Sequence, residues 1–234
     1  MFTNFYHGSF KRTLTAFTTM FDNIEITLDN KKTITVPLHY AQREKFMEVV
    51  EKIGDKTAPI KNVTMPIMGF EMTAFNPAPE RAKNQLHKIT NLNNDKEFMY
   101  NRVPWDVTFE LYIATKKLDD SFKIVEQILP TFSPGLTVKV KDFPKFSGES
   151  NMVFDLTSAS MNIQYEDDFS DVRHILWNIS FTVKTYLYRD IKQSERIQNV
   201  LINVSEMNDE KDPLAKFLTF MENNKIVTKV DENE

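Results

Sequence analysis

Apolar residues recur every three or four positions through the first part of the chain. Phe2, Tyr6, Phe10, Leu14, Phe17 and Phe21 fall on one side of a helix. Gly8 interrupts that run, so the helix is placed over 9–21, with Ser9 as its N-cap. The period then changes to two. Ile24, Ile26 and Leu28 alternate with polar residues, and the alternation resumes at Ile34, Val36 and Leu38 after Asp29-Asn30-Lys31-Lys32, which predicts a hairpin. A second helix is expected over 41–53, with Phe46, Val49, Val50 and Ile53 inward and Gly54 at its end. Residues 63–75 read as extended, with a phase shift near Ile67-Met68 and with Pro66 marking an edge or a bulge.

The clearest strand covers 103–113, where Val103, Trp105, Val107, Phe109, Leu111 and Ile113 share one face. A helix follows over 119–129. Asp119 or Asp120 caps it, Phe122, Val125, Ile128 and Leu129 face inward, and Pro130 stops it. Leu136, Val138 and Val140 predict a short strand. Residues 152–165 predict a longer one, with a phase change near Ser158. Ile175, Trp177, Ile179, Phe181 and Val183 mark another, and residues 197–204 read as extended. Asp212-Pro213 opens a last helix over 213–222, with Leu214, Phe217, Leu218 and Met221 on its apolar face. The pattern predicts an α+β fold: an antiparallel or mixed twisted sheet with long hairpins, packed by helices near 9–21, 41–53, 119–129 and 213–222. One domain is expected over 1–222, with a long polar loop near 76–101 and a polar tail over 223–234.

Composition narrows the chemistry. The 234 residues hold no cysteine, which excludes disulfides, zinc–thiolate sites and thiol nucleophiles. Five glycines in 234 residues lie well below the ~7% of average usage, which argues against phosphate-cradling loops. Lys and Arg number 29 against 33 Asp and Glu, a net charge of −4, which argues against a basic nucleic-acid surface. No stretch approaches the ~20 apolar residues of a membrane span, and the first residues lack the pattern of a signal peptide.

Candidate chemistry is thin. The histidines are His7, His39, His87 and His174, and none has a partner at metal-ligand spacing. His39 and His174 read as packing or surface residues. Glu25 and Glu110 fall on the polar phases of strands, where exposure is the default. The acidic stretch Glu166, Asp167, Asp168, Asp171 reads as a solvated hairpin turn, because it lacks the spacing and glycine of a calcium loop. The rival reading from another class is a metal-assisted hydrolase built on Asp167, Asp168, Asp171 and His174. The aromatic stripe at the start of the chain reads as core helix or as a docking helix for another subunit. Candidate subunit or partner contacts are Phe2, Phe5, Tyr6, Phe10, Asp167, Asp168, Phe217 and Met221. No residue is assigned to catalysis, to a cofactor or to a metal.

Several segments resemble a known family in the same order and at similar spacing. They are Met1-Phe2…Phe5-Tyr6…Ser9-Phe10…Arg12, Phe21…Asn23-Ile24…Ile26, Val36-Pro37…Tyr40-Ala41…Lys45-Phe46, Ile124-Val125-Glu126-Gln127-Ile128-Leu129-Pro130…Phe132…Pro134, and Arg173…Ile175…Trp177…Ser180-Phe181. This order is similar to that of the tail sheath stabiliser and completion proteins of T-even-type contractile phages, over most of 1–189. The resemblance implies a structural virion protein and not an enzyme. It implies a self-assembled hexameric ring at the head-proximal end of the tail. The implied partners are the tail tube terminator, the tail sheath protein and the neck or head-completion proteins. DNA would pass through the ring without specific binding, and no membrane is involved. Assembly would take place in the bacterial cytoplasm. A head–tail connector or a baseplate component is the structural alternative.

Overall fold

The computed structural model describes residues 4–29, 31–54, 64–94, 96–141, 146, 149–164 and 174–193. The chain divides into two units, Met1–Lys192 and Gln193–Glu234, and apart from Gln193 the described residues belong to the first. The extended stretch expected at 197–204, the helix at 213–222 and the acidic stretch at 166–171 lie outside the described residues, as does Phe2.

Helix α1 is Ser9–Phe21. Its N-cap is Gly8 and not Ser9. Gly8 takes a left-handed φ of 67°, a conformation that a Cβ disfavours. Strands β1 (Glu25–Thr27) and β2 (Thr33–Thr35) form the expected hairpin. Strand β3 (Leu38–Tyr40), helix α2 (Arg43–Gly54) and strand β4 (Ile67–Pro77) follow. Among its described residues the polar stretch 76–101 contains a 3-10 turn at Pro79–Arg81 and a second hairpin, β5 (Lys88–Thr90) with β6 (Glu97–Tyr100). Strand β7 is Val103–Thr115, helix α3 is Leu118–Ile128, and strands β8 (Leu136–Val140), β9 (Ser150–Gln164) and β10 (His174–Leu187) follow, with a two-residue strand at Lys192–Gln193 after them.

Six strands form the main sheet in the order β3-β4-β7-β10-β9-β8. Among the described residues only the β3–β4 pair is parallel, so the sheet is mixed and the fold is α+β. Its long central ladder runs from Ile175 opposite Thr115 to Leu187 opposite Val103. The inward phase of that ladder is apolar. Val107, Phe109, Leu111, Ile113, Ile179, Phe181 and Val183 are all fully buried. Helices α1 and α3 cover this face. Phe17 stacks on Phe109 with ring centroids 4.3 Å apart, and Phe132 meets Phe181 edge-on at 4.9 Å.

Helix α2 packs on the opposite face near one end of the sheet. Phe46 and Val50 close over Ile67, Tyr112, Ala114 and Leu176. This explains the apparent phase shift at Ile67-Met68. Both faces are buried there, Ile67 under α2 and Met68 in the main core. The real irregularity lies further on, at Thr73, which is the extra residue between the pairs Met72–Phe109 and Ala74–Thr108. In β9 the predicted phase change is a bulge at Thr157, between the pairs Ser158–Ser180 and Leu156–Phe181.

Two helix faces differ from the reading of the sequence. In α1 the buried stripe is Ser9, Thr13, Phe17 and Phe21, so Phe10 and Leu14 lie on its flank. Thr13 is tolerated inside because its hydroxyl donates to the Ser9 carbonyl at 3.1 Å and lies 3.3 Å from the Thr185 hydroxyl. In α3 Ile124 takes the core position and Phe122 is 41% exposed, edge-on to Trp177. Lys117 is the N-cap of α3, without a side-chain cap bond. Asp119 and Asp120 sit in the first turn, where the helix dipole favours a carboxylate. Both also pair with Lys123.

Candidate assembly surfaces

Apolar side chains left in solvent gather at the start of α1. Tyr6 is 81% exposed and Phe5 48%. Phe10, also exposed, meets exposed Phe75 edge-on with centroids 5.1 Å apart. The bulge at Thr73 makes this contact possible. It moves Phe75 onto the face of its partner Val107, beside α1. The segment before the helix is held in place and does not trail free. His7 Nε2 lies 2.8 Å from the Arg189 carbonyl, and Arg12 Nη1 donates to the His7 carbonyl at 2.6 Å. Of the predicted contact residues, the structure therefore brings Phe5, Tyr6 and Phe10 to one corner. Asp167, Asp168, Phe217, Met221 and Phe2 lie outside the described residues.

The outward phase of the central strands carries a polar cluster that sequence reasoning missed. Tyr112 donates to Glu71 Oε1 at 2.7 Å, and Ser180 donates to Glu110 Oε1 at 2.8 Å. Glu71 and Glu110 face each other across the ladder of β4 and β7. Glu110 is thus half-buried, not exposed as its polar phase suggested. Burial pushes the Tyr112 phenol well above its usual range, and its bond to Glu71 and the charges of Glu71 and Glu110 add to that shift. No alternation in one strand signals this cluster, because its members come from three strands. Nearby, Arg81 pairs with Asp106, and the guanidinium of Arg102 sits 4.0 Å from the ring centroid of Tyr186.

The surface basic residues Lys31, Lys32, Lys116 and Lys117 are exposed, and Lys117 pairs with Asp29. That pair holds the Asp29 carboxyl below its ordinary value. His39 is exposed and His174 is buried at the start of β10. Among the described residues no group of three or more His, Asp or Glu could hold a metal ion. None of the described helices is long and apolar enough to cross a membrane.

The described residues thus set an exposed aromatic corner at the start of α1 on an α+β scaffold. Residues 4–233 match the family of T4-like virus Myoviridae tail sheath stabilisers, and the chain belongs to that family. It is 29% identical over 210 residues to the tail completion protein gp15 of Enterobacteria phage T4, across 83% of this chain and 76% of that protein. The chain is a structural protein of the bacteriophage tail.

Proposed function

We propose that this chain closes the head-proximal end of a contractile tail as a ring of six copies. In this role it caps the last ring of sheath and the tube terminator and presents a docking surface to the neck of the filled head. The match to the stabiliser family over 4–233, nearly the whole chain, carries the reading. The exposed aromatic corner of Phe5, Tyr6 and Phe10 supports it. A cyclic ring needs two different, complementary patches on each subunit, and an aromatic cluster on a rigid helix start is suited to be one of them. Phe2, Asp167, Asp168, Phe217 and Met221 are the remaining proposed contacts. Assembly takes place in the host cytoplasm, DNA passes without specific binding, and the chain carries no catalytic role.

The test is native mass measurement with negative-stain imaging, first of the purified protein and then of tails labelled with an antibody to it. Six-fold rings, or label at the head-proximal end only, is the expected result. Label at the baseplate end, or a different copy number on finished tails, would replace this reading with that of another connector or baseplate part. Adding calcium, magnesium or manganese should leave thermal stability unchanged. A marked rise would revive the metal-assisted reading of Asp167, Asp168, Asp171 and His174.

A further inference from the structure

Among the described residues β8 is the last strand of the main sheet, so one of its edges faces away from β9. Among the described residues its backbone makes no hydrogen bond outside the ladder with β9. An open groove of about 540 Å³ lies between this strand and α1. Met20, Val138 and Val140 give it an apolar wall. Lys11, Lys139 and Lys141 stand along it, and among the described residues no carboxylate lines it. These three lysines are exposed and have no carboxylate partner among the described residues.

Lysine on an edge strand can serve simply to keep sheets from pairing edge to edge. A purely protective edge has no need of a helix that roofs it with apolar atoms. Here α1 residues from Lys11 to Met20 wall the groove beside β8, so a further strand along that edge would find both a backbone ladder and an apolar wall. Along β8 the half-buried residues Leu136, Val138 and Val140 alternate with exposed Thr137 and Lys139. Lys139 and Lys141 are on the outward phase. Opposite charges directly across a ladder stabilise the pairing, and like charges oppose it.

We propose that the edge of β8 is a strand-addition site for an extended acidic segment of another tail protein. The segment places apolar side chains inward against Met20 and Val138, and Asp or Glu outward opposite Lys139 and Lys141. Its main chain supplies the hydrogen bonds and its alternation the specificity. A nucleic-acid strand fits the site less well, because it has no amide ladder to offer and no use for the apolar wall. The inference adds a surface to the tail role and does not depend on a closed ring, so ring counts and this binding can fail separately.

The probe is a fluorescent synthetic peptide of alternating Glu and Val, about nine residues long to span the five-residue strand with overhang. It is titrated against the full chain by anisotropy, with amide hydrogen exchange read over 136–140. Saturable binding is expected, with exchange at those amides slowed about tenfold or more. Lys139→Glu with Lys141→Glu should weaken binding about tenfold. Lys11→Glu alone, which leaves the strand untouched, should weaken it less but measurably, and a Lys–Val peptide should not bind. Absent binding of the Glu–Val peptide, equal binding of the Lys–Val peptide, or binding without slowed exchange over 136–140 overturns the proposal. So does tighter binding of a duplex oligonucleotide at the same site. Loss of self-association in the double variant would overturn it too, because it would make this edge a subunit interface.

Discussion

Phe109 shows how much of this body rests on single aromatic positions. It is fully buried and stacked on Phe17. Phe109→Ala should cost about 3–5 kcal/mol in urea melts, from lost transfer energy plus the cavity left behind. A cost within error would mean that the sheet face can be repacked without it. Tyr112 makes a different kind of claim. Its phenol stays protonated in the folded chain at a pH where an unfolded tyrosine, with its ordinary value of 10.0, has already ionised. Above that pH the folded state holds more protons than the unfolded one, so stability falls as pH rises. Tyr112→Phe should flatten the alkaline limb of the stability curve above pH 10.0 and leave its acid limb unchanged. An alkaline slope identical to wild type would contradict the assignment.

At the scale of elements, α2 and α1 are attached to the sheet in different ways. Helix α2 lies so close over β4 that a Cβ at Gly69 would sit 2.5 Å from Cδ2 of Phe46. Gly69→Ala should therefore destabilise by about 1–3 kcal/mol, the range for overpacking a filled site. Thermal melts decide this, and an unchanged midpoint would mean that the helix shifts freely. Helix α1 buries one stripe and leaves its start exposed. Tyr6→Ser with Phe10→Ser should change folding stability by less than about 1 kcal/mol, as surface substitutions generally do. The same pair should reduce formation of the proposed ring on finished tails in stained images. A marked loss of stability with assembly intact would make the corner a structural support and not a contact.

The whole molecule carries a net charge of −4, and the proposed ring would repeat that charge in every copy. A channel that lets DNA move needs a lining that does not capture phosphates, because each phosphate contact releases counterions and raises affinity. Lys31, Lys32, Lys116 and Lys117 are then expected on outer or docking surfaces. Purified assembled protein should show no retention of duplex DNA at low salt in a filter-binding assay. Tight, salt-sensitive retention would point instead to a basic channel.

Local pattern was enough to read most elements. The period of two in 103–113 and 175–183 survives in the structure as the central ladder, because each of those strands has one face in the main core. Pro130 also ends the α-helix, since a proline cannot continue the helix ladder. The helix stops at Ile128, however, and a 3-10 turn over Leu129–Phe132 carries the chain through the proline. The order of aromatic segments carried the family likeness. Tertiary packing decided what such patterns cannot encode. Ile67 and Met68 are both buried because helices cover both faces of one strand, which alternation alone renders as a phase slip. Phe122 looks as apolar as Ile124, yet it is left exposed. The helix turns its Ile124 stripe to the sheet, and only the facing strand selects that rotation. Glu71, Glu110, Tyr112 and Ser180 meet from three strands, and the edge of β8 is open because, among the described residues, no further strand follows it in the sheet. Neighbours across a sheet are set by strand order and register, and these are long-range choices that no single segment records.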